Sequence, residues 1–384
     1  MTDHKPKTMA ELGLFSGVPQ YENFSRIKDL LATRAMAPSS NPLTWPQGGA
    51  IALPETYTFA GESRSAEQFL KETDTGALLV LIDGVVRYER YLLTGGPEVQ
   101  WLSMSVAKSF VSALVGIAVD EGHIASIDDA ISSYVPVRPG SAYDGVSIRR
   151  VLQMSSGARW NEDYSDPESD IWRLGAAMAG IGTLDDFVAT AVAESEPGTV
   201  CRYNSGDTQV LGALVARATG RSLGEYMQEK LCEPLGMEST GYWIVDSASR
   251  EMAFAGLNLT ARDFARIGEL YRNGGVWQGK QVVPAQWVSD SVTVAAEHLQ
   301  AGRPWVGGHT FDLGYGYQWW LPAGDRGEFS AIGVYNQFVY VDPASRTTIV
   351  KLSANPRYGT SEEEADNRDL ETVAFLRAIA WADH

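Results

Sequence analysis

Ser105 and Lys108 stand three residues apart in the stretch Trp101-Leu102-Ser103-Met104-Ser105-Val106-Ala107-Lys108-Ser109-Phe110. On a helix that spacing puts both side chains on one face, with Cβ atoms about 5–6 Å apart, so a buried amine can reach the hydroxyl. A serine hydroxyl is barely ionised at neutral pH and needs a base, and an ammonium gives up its proton more readily when it is buried. The pair reads as a nucleophile, Ser105, and its base, Lys108. An S-x-x-K sequence also arises by chance in a chain with this many serines and lysines, so its weight depends on what accompanies it. Two further stretches do. Pro197-Gly198-Thr199-Val200-Cys201-Arg202-Tyr203-Asn204-Ser205-Gly206 sets Tyr203 on a turn just before an amphipathic helix. A phenol with a pKa of about 10 becomes a usable acid or base only near positive charge, which Lys108 would supply, and Tyr203 would then relay a proton to the leaving group. Taken alone, such a tyrosine is more often packed and hydrogen-bonded for structural reasons. In Ser330-Ala331-Ile332-Gly333-Val334-Tyr335-Asn336-Gln337, a strand of small residues offers the backbone N–H of Val334 as an oxyanion donor beside that of Ser105. The alternative is a plain strand in which Gly333 answers a packing need.

Competing chemistries find less support. There is no G-x-S-x-G elbow, P-loop or dinucleotide fingerprint, and the five histidines (His4, His123, His298, His309, His384) include no pair spaced for a metal. His309 follows Gly307-Gly308 and reads as part of a loop, although a Ser-His-Asp triad assembled from distant segments stays open. Cys201 and Cys232 lie far apart in the chain without a CxxC, so neither a zinc site nor a disulfide framework is expected. No metal and no cofactor are anticipated. A formal charge of −17, from 31 basic and 48 acidic residues, argues against a nucleic-acid partner. No apolar window approaches the ~20 residues that span a bilayer. Met1 to Arg34 lacks the uninterrupted apolar core of a secretory signal, which favours a cytoplasmic location.

These residues need elements to hold them. Residues 1–75 read as a wrapping extension in which Phe24 to Met36 could form a helix ending before Pro38. Ala77 to Ile82 and Val85 to Leu92 are β-prone runs around Asp83-Gly84, a strong hairpin signal. Phe329 to Val341 and Thr347 to Ser353 repeat the arrangement with Asp342-Pro343 as the turn, and a helix over Glu362 to Ala382 closes the chain. Between them Ser105 to Asp120, Thr183 to Glu194, Thr208 to Thr219, Leu223 to Leu231 and Ala261 to Asn273 read as helices. The economical architecture is α/β, of the α+β kind: one antiparallel sheet from both chain ends, flanked by helices, with a mainly helical second domain. The boundaries expected are 76–122 and 257–384 for the sheet domain and 123–256 for the helical one, with the active site in the cleft between.

Together the motifs resemble the penicillin-recognising serine hydrolases: class C β-lactamases, family VIII carboxylesterases and, most of all, the nylon-oligomer (6-aminohexanoate-dimer) hydrolases. The resemblance rests on Met104-Ser105-Val106-Ala107-Lys108-Ser109, Tyr143-Asp144-Gly145, Asn161-Glu162-Asp163-Tyr164, Asp166-Pro167, Thr260-Ala261-Arg262-Asp263 and Ile349-Val350-Lys351-Leu352-Ser353, and runs from about Gly76 to Ala382. It implies a β-lactamase/transpeptidase-like fold, an acyl-enzyme on Ser105, Lys108 as base and Tyr203 as proton donor. It also implies that Tyr164 contacts the substrate from a loop, Asn161 to Trp172, that is a candidate lid carrying Asp170 and Trp172. Ser205 takes the amide position of the lactamase Y-x-N, while Gly175 and Phe254 fall where the nylon hydrolases hold the substrate's amino end. Ala331-Ile332-Gly333 replaces the lactamase K-T-G, which removes the cation for a β-lactam carboxylate. The activity implied is hydrolysis of carboxyl esters and linear amides, small molecules being the expected partners and neither nucleic acid nor membrane; a homodimer is compatible with the sequence. A β-lactamase or D-amino-acid peptidase is the alternative enzyme, and a catalytically silent binding or sensor protein the alternative of another class.

Overall fold

The computed structural model describes residues 7–303 and 312–382. His4, His309, His384 and the first six residues of the expected N-terminal extension lie outside this range.

A seven-stranded antiparallel sheet forms the centre. In chain order its strands are β1 (Thr75–Ile82), β2 (Val85–Tyr91), β3 (Leu313–Tyr315), β4 (Trp320–Pro322), β5 (Phe329–Gly333), β6 (Gln337–Asp342) and β7 (Thr347–Ser353), in the spatial order β3-β4-β5-β6-β7-β1-β2. The two chain ends meet where β7 pairs with β1, from Thr347 opposite Ile82 to Leu352 opposite Ala77. This join leaves β1, β6 and β7 buried along nearly their whole length, because helices cover both faces. Leu79 and Leu81 point to one core, and Leu78 and Val80 to the other, where they meet Phe375, Leu376 and Ile379 of the last helix. The β1–β2 turn is of the expected kind, with positive φ at both Asp83 (52°) and Gly84 (72°).

Three expectations are corrected. Phe24 to Met36 is not a helix: Tyr21–Phe24 and Ile27–Asp29 are single turns, and Thr33–Met36 is a strand paired with Gly241–Ile244. Burial of Phe24, Ile27 and Leu31 gave the segment a helical spacing, and pairing with a distant strand overrides it. Phe329 to Val341 is not one strand but a hairpin, reversed over Val334-Tyr335-Asn336 with φ of 65° at Tyr335 and 64° at Asn336. The closing helix is broken at Arg368 (φ 57°) into Glu364–Asn367 and Asp369–Ala380, and the Arg368 guanidinium bonds Glu72 and Glu371. Among the inner helices, that over 183–194 shrinks to Leu184–Ala189, and that over 223–231 runs to Met227 and continues as a π-turn to Cys232.

Two helices carry the site. The first, α1 (Ala107–Asp120), is apolar on every side and buried along nearly its whole length, as a helix crossing the middle of a core must be. The second, α2 (Ser205–Thr219), packs against it and begins three residues earlier than its apolar pattern suggests. Asn204 is its N-cap, the side-chain oxygen accepting from the N–H groups of Gly206 and Asp207. Among the described residues no helix is long and apolar enough to cross a membrane.

Candidate active site

A short strand, Trp101–Leu102, is pinned by pairing with Leu257–Leu259 and leads straight into a tight 3₁₀ turn, Met104–Val106, ahead of α1. The turn passes directly into α1, and on a continuous helical path residues three apart share a face, so Ser105 sits beside Lys108. Met104 takes a φ of +46°, a strained conformation for a non-glycine residue of the sort found where a side chain must be aimed. The result is a Lys108 Nζ to Ser105 Oγ distance of 3.0 Å.

Lys108 is only 1% exposed. Its amine also meets Ser205 Oγ at 3.0 Å and the Phe254 carbonyl oxygen at 3.0 Å, and it lies 4.9 Å from the centre of the Tyr203 ring. None of these neighbours is an anion. Burial pushes the Lys108 ammonium down to about 7, while the charge of Glu162 pulls the other way. An amine that is about half neutral at pH 7 and in contact with a serine hydroxyl has the chemistry a base needs.

Tyr203 reaches the same point from the loop before α2. Its ring stacks on Trp320 of β4 at 5.2 Å, and its hydroxyl is hydrogen-bonded to Ser105. Burial first, then Glu162, holds the phenol well above 10, with the Ser105 bond opposing. Tyr203 is thus a neutral donor at neutral pH, not a phenolate. Behind it, Tyr143 of the Tyr143-Asp144-Gly145 motif donates to Asp207 at 2.9 Å and Ser156 donates to the same oxygen at 2.7 Å. These bonds tie the first turn of α2 to the body of the protein.

Glu162, within Asn161-Glu162-Asp163-Tyr164, has a part in the site that its sequence context does not announce. Its carboxylate accepts from Ser205 Oγ (2.6 Å), Ser205 N (3.1 Å), the Tyr164 hydroxyl (2.8 Å) and Trp160 Nε1. Ser205 therefore bridges Lys108 to Glu162. No local signal could have found this, because the contact spans 43 positions; the acidic residue two before Tyr164 was the nearest hint.

Val334 sits at the tip of the β5–β6 hairpin and borders the cavities together with Ser105. The preceding Gly333 runs so close that a Cβ there would stand 2.9 Å from the Ser105 backbone nitrogen and 2.7 Å from the Ser103 carbonyl oxygen. Only glycine permits the strand to approach the turn this closely, and the approach brings the 333–334 backbone against the Ser105 amide.

An open cleft of about 790 Å³ leads to Ser105, lined by Tyr164, Asp170, Tyr203, Ile332 and Val334 among others. Asp170 accepts from the Asn161 backbone and pairs with Arg173. The other expected substrate contacts are placed differently. Gly175 and Phe254 face a smaller chamber on the inner side of Ser105. Trp172 borders neither space; its Nε1 donates to the Tyr164 carbonyl and its ring meets Phe15, so it braces the loop from behind. Loop 161–172 itself is stitched by side-chain to backbone bonds from Asn161, Asp163 and Asp166.

The family model for Beta-lactamase matches residues 64–374. The 6-aminohexanoate-dimer hydrolase of Paenarthrobacter ureafaciens is 33% identical over 347 residues, covering 87% of this chain and 85% of that one. Lovastatin esterase of Penicillium rubens is 25% identical over 49% of this chain and 51% of its own length. Among solved structures, a Bacillus anthracis protein provisionally assigned as a 6-aminohexanoate-dimer hydrolase superposes with a TM-score of 0.81 at 24% identity, covering 94% of this chain and 95% of that one. This last likeness speaks for the fold.

Proposed function

Because this chain belongs to the β-lactamase family of serine hydrolases, we propose that it hydrolyses carboxyl esters and linear amides through an acyl-enzyme on Ser105. The observation that carries the reading is the buried Lys108 amine, lowered to about 7 and 3.0 Å from the Ser105 hydroxyl. Neutral Lys108 takes the proton as Oγ bonds to the substrate carbonyl carbon, and the carbonyl oxygen gains its charge beside the N–H groups of Ser105 and Val334. As the tetrahedral intermediate collapses, the bond to the leaving group breaks and Tyr203 protonates the departing oxygen or nitrogen. The Lys108 ammonium replaces the proton on Tyr203. Water entering from the open cleft then attacks the acyl carbon while Lys108 takes its proton, and as the bond to Oγ breaks Lys108 returns that proton to Ser105, releasing the acid and the free hydroxyl.

The preference for linear substrates over β-lactams is supported by Ile332 and Gly333 in the cleft, where a lactam carboxylate would need a cation. Names among the relatives, a dimer hydrolase and an esterase, point the same way. The test compares p-nitrophenyl acetate with nitrocefin and labels the protein with a fluorophosphonate. Ester turnover with an adduct on Ser105 and little nitrocefin turnover is the expected result. Nitrocefin as the better substrate would move the protein to the lactamase reading, and no adduct with no turnover would make it a silent relative.

Two variants test the proton path. Tyr203→Phe keeps the stack on Trp320 and removes only the hydroxyl, so amide hydrolysis should fall by about 10²–10⁴. Turnover of p-nitrophenyl esters, whose leaving group departs without a proton, should fall far less. Equal losses on both would deny Tyr203 its role as donor. Glu162→Gln removes the charge that raises the Lys108 pKa. The acid limb of the kcat/KM profile should shift to lower pH, and the plateau should drop by about tenfold as Ser205 loses part of its anchor. A limb that stays in place or moves up would separate Glu162 from Lys108.

A further inference from the structure

Ser105 has a second side. Beside the open cleft, a narrower and almost wholly apolar chamber of about 60 Å³ is bordered by Ser105, Ser205 and Val334. Its far wall comes from the N-terminal arm, through Met9, Leu12, Leu14 and Phe15. We propose that this chamber is the acyl subsite, sized for a short unbranched aliphatic acyl group, and that Met9 sets its depth. The inference rests on the esterase and amidase reading above.

The wall is built rather than draped. The fully buried amide of Gln20 donates to the carbonyls of Leu12, Gly13 and Val18. Phe15 N–H donates to the Tyr335 hydroxyl at 2.6 Å, and the Phe15 ring stacks on Tyr164 at 4.4 Å and Tyr335 at 5.2 Å. Positive φ at Gly13 (69°), Phe15 (59°) and Gly17 (81°) folds the arm into this shape. Met9 meets Gly175 in the chamber wall, where an added Cβ would lie 2.1 Å from Met9 Sδ; the missing side chain at 175 is space that Met9 takes.

Chemistry assigns the occupant. Among the described residues no charged side chain lines the chamber, so an ammonium or carboxylate would be stranded there without a partner. The leaving group must depart and water must enter while the acyl group stays on Ser105, and the cleft, at about 790 Å³, has the room for both. An apolar cavity of about 150 Å³ takes a six-atom ring, so a chamber of about 60 Å³ takes a chain of only a few atoms. A short acyl chain suits it and octanoyl does not.

The experiment measures kcat/KM for p-nitrophenyl acetate, butanoate and octanoate, and for ethyl and octyl acetate, in the parent, Met9→Ala and Ala255→Leu. Met9→Ala deepens the chamber by three side-chain atoms, and Ala255→Leu fills it from the wall. The octanoate to butanoate ratio should rise by about tenfold in the first, the size expected when two methylenes leave water for an apolar wall. In the second, the butanoate to acetate ratio should fall by a similar factor. Either variant decides if the other fails to fold. Unchanged acyl ratios, or a change in the octyl to ethyl ratio instead, would overturn the assignment. A parent that turns over none of these esters and takes no adduct on Ser105 would remove the functional reading, and the chamber's role with it.

Discussion

Ser105→Ala is expected to lower ester turnover by about 10³-fold or more while melting within about 2 °C of the parent. The two halves of the expectation have different origins. Chemistry is lost because the hydroxyl is the atom that would carry the acyl group. Stability is kept because Lys108, whose amine is the costly group in this interior, retains the Phe254 carbonyl and Ser205 Oγ, each at 3.0 Å. Initial rates on p-nitrophenyl acetate and a calorimetric melt check both. A variant with more than a tenth of parental activity would remove Ser105 from the mechanism, whatever its geometry.

Lys108→Met should lower kcat/KM by about 10²–10⁴, and its pH profile should differ in kind from the parent's. In the parent, Lys108 is protonated below about 7 and cannot accept the Ser105 proton, so the rate should climb through that pH and level off above it. In the variant no group in contact with Ser105 titrates there, and the residual rate should lose the limb. Met fills nearly the volume of the lysine stem, which avoids the cavity that alanine would leave. The Phe254 carbonyl and Ser205 hydroxyl lose a donor, at about 1–3 kcal/mol for a buried group left unmade, partly offset because no amine need then be desolvated. A profile that keeps its limb near 7 would point to another base.

Local patterns in the chain reveal the parts of this site that are local. Ser105 and Lys108 are read from their spacing, the Asp83-Gly84 hairpin from its turn chemistry, and the loop that presents Tyr203 from its position ahead of an amphipathic helix. Features that depend on distant partners escape such a reading. Thr33–Met36 carries a helical spacing and becomes a strand because Gly241–Ile244 is available beside it. The reversal at Tyr335-Asn336 interrupts what reads as a continuous apolar run, because a tyrosine seldom takes a positive φ, and the Phe15 N–H bond to its hydroxyl comes from the other end of the chain. Gly175 and Phe254 were aligned with groups that hold a charged substrate end, yet they face an apolar chamber whose wall, the arm from Met9 to Phe15, shows no periodic pattern to mark it. Glu162 is invisible for the same reason: its partner Ser205 lies on another element.

The pairing of β7 with β1 has a consequence for biosynthesis. Ser105 and Lys108 leave the ribosome in the first third of the chain, but the strand that shields the edge of β1 is made only after residue 347. Until then β1 exposes an unpaired apolar edge, of the kind that invites aggregation and chaperone capture. Closure across some 270 positions makes for slow assembly, and a nascent chain stalled short of Thr347 carries Ser105 and Lys108 without the strand that completes the sheet beside them.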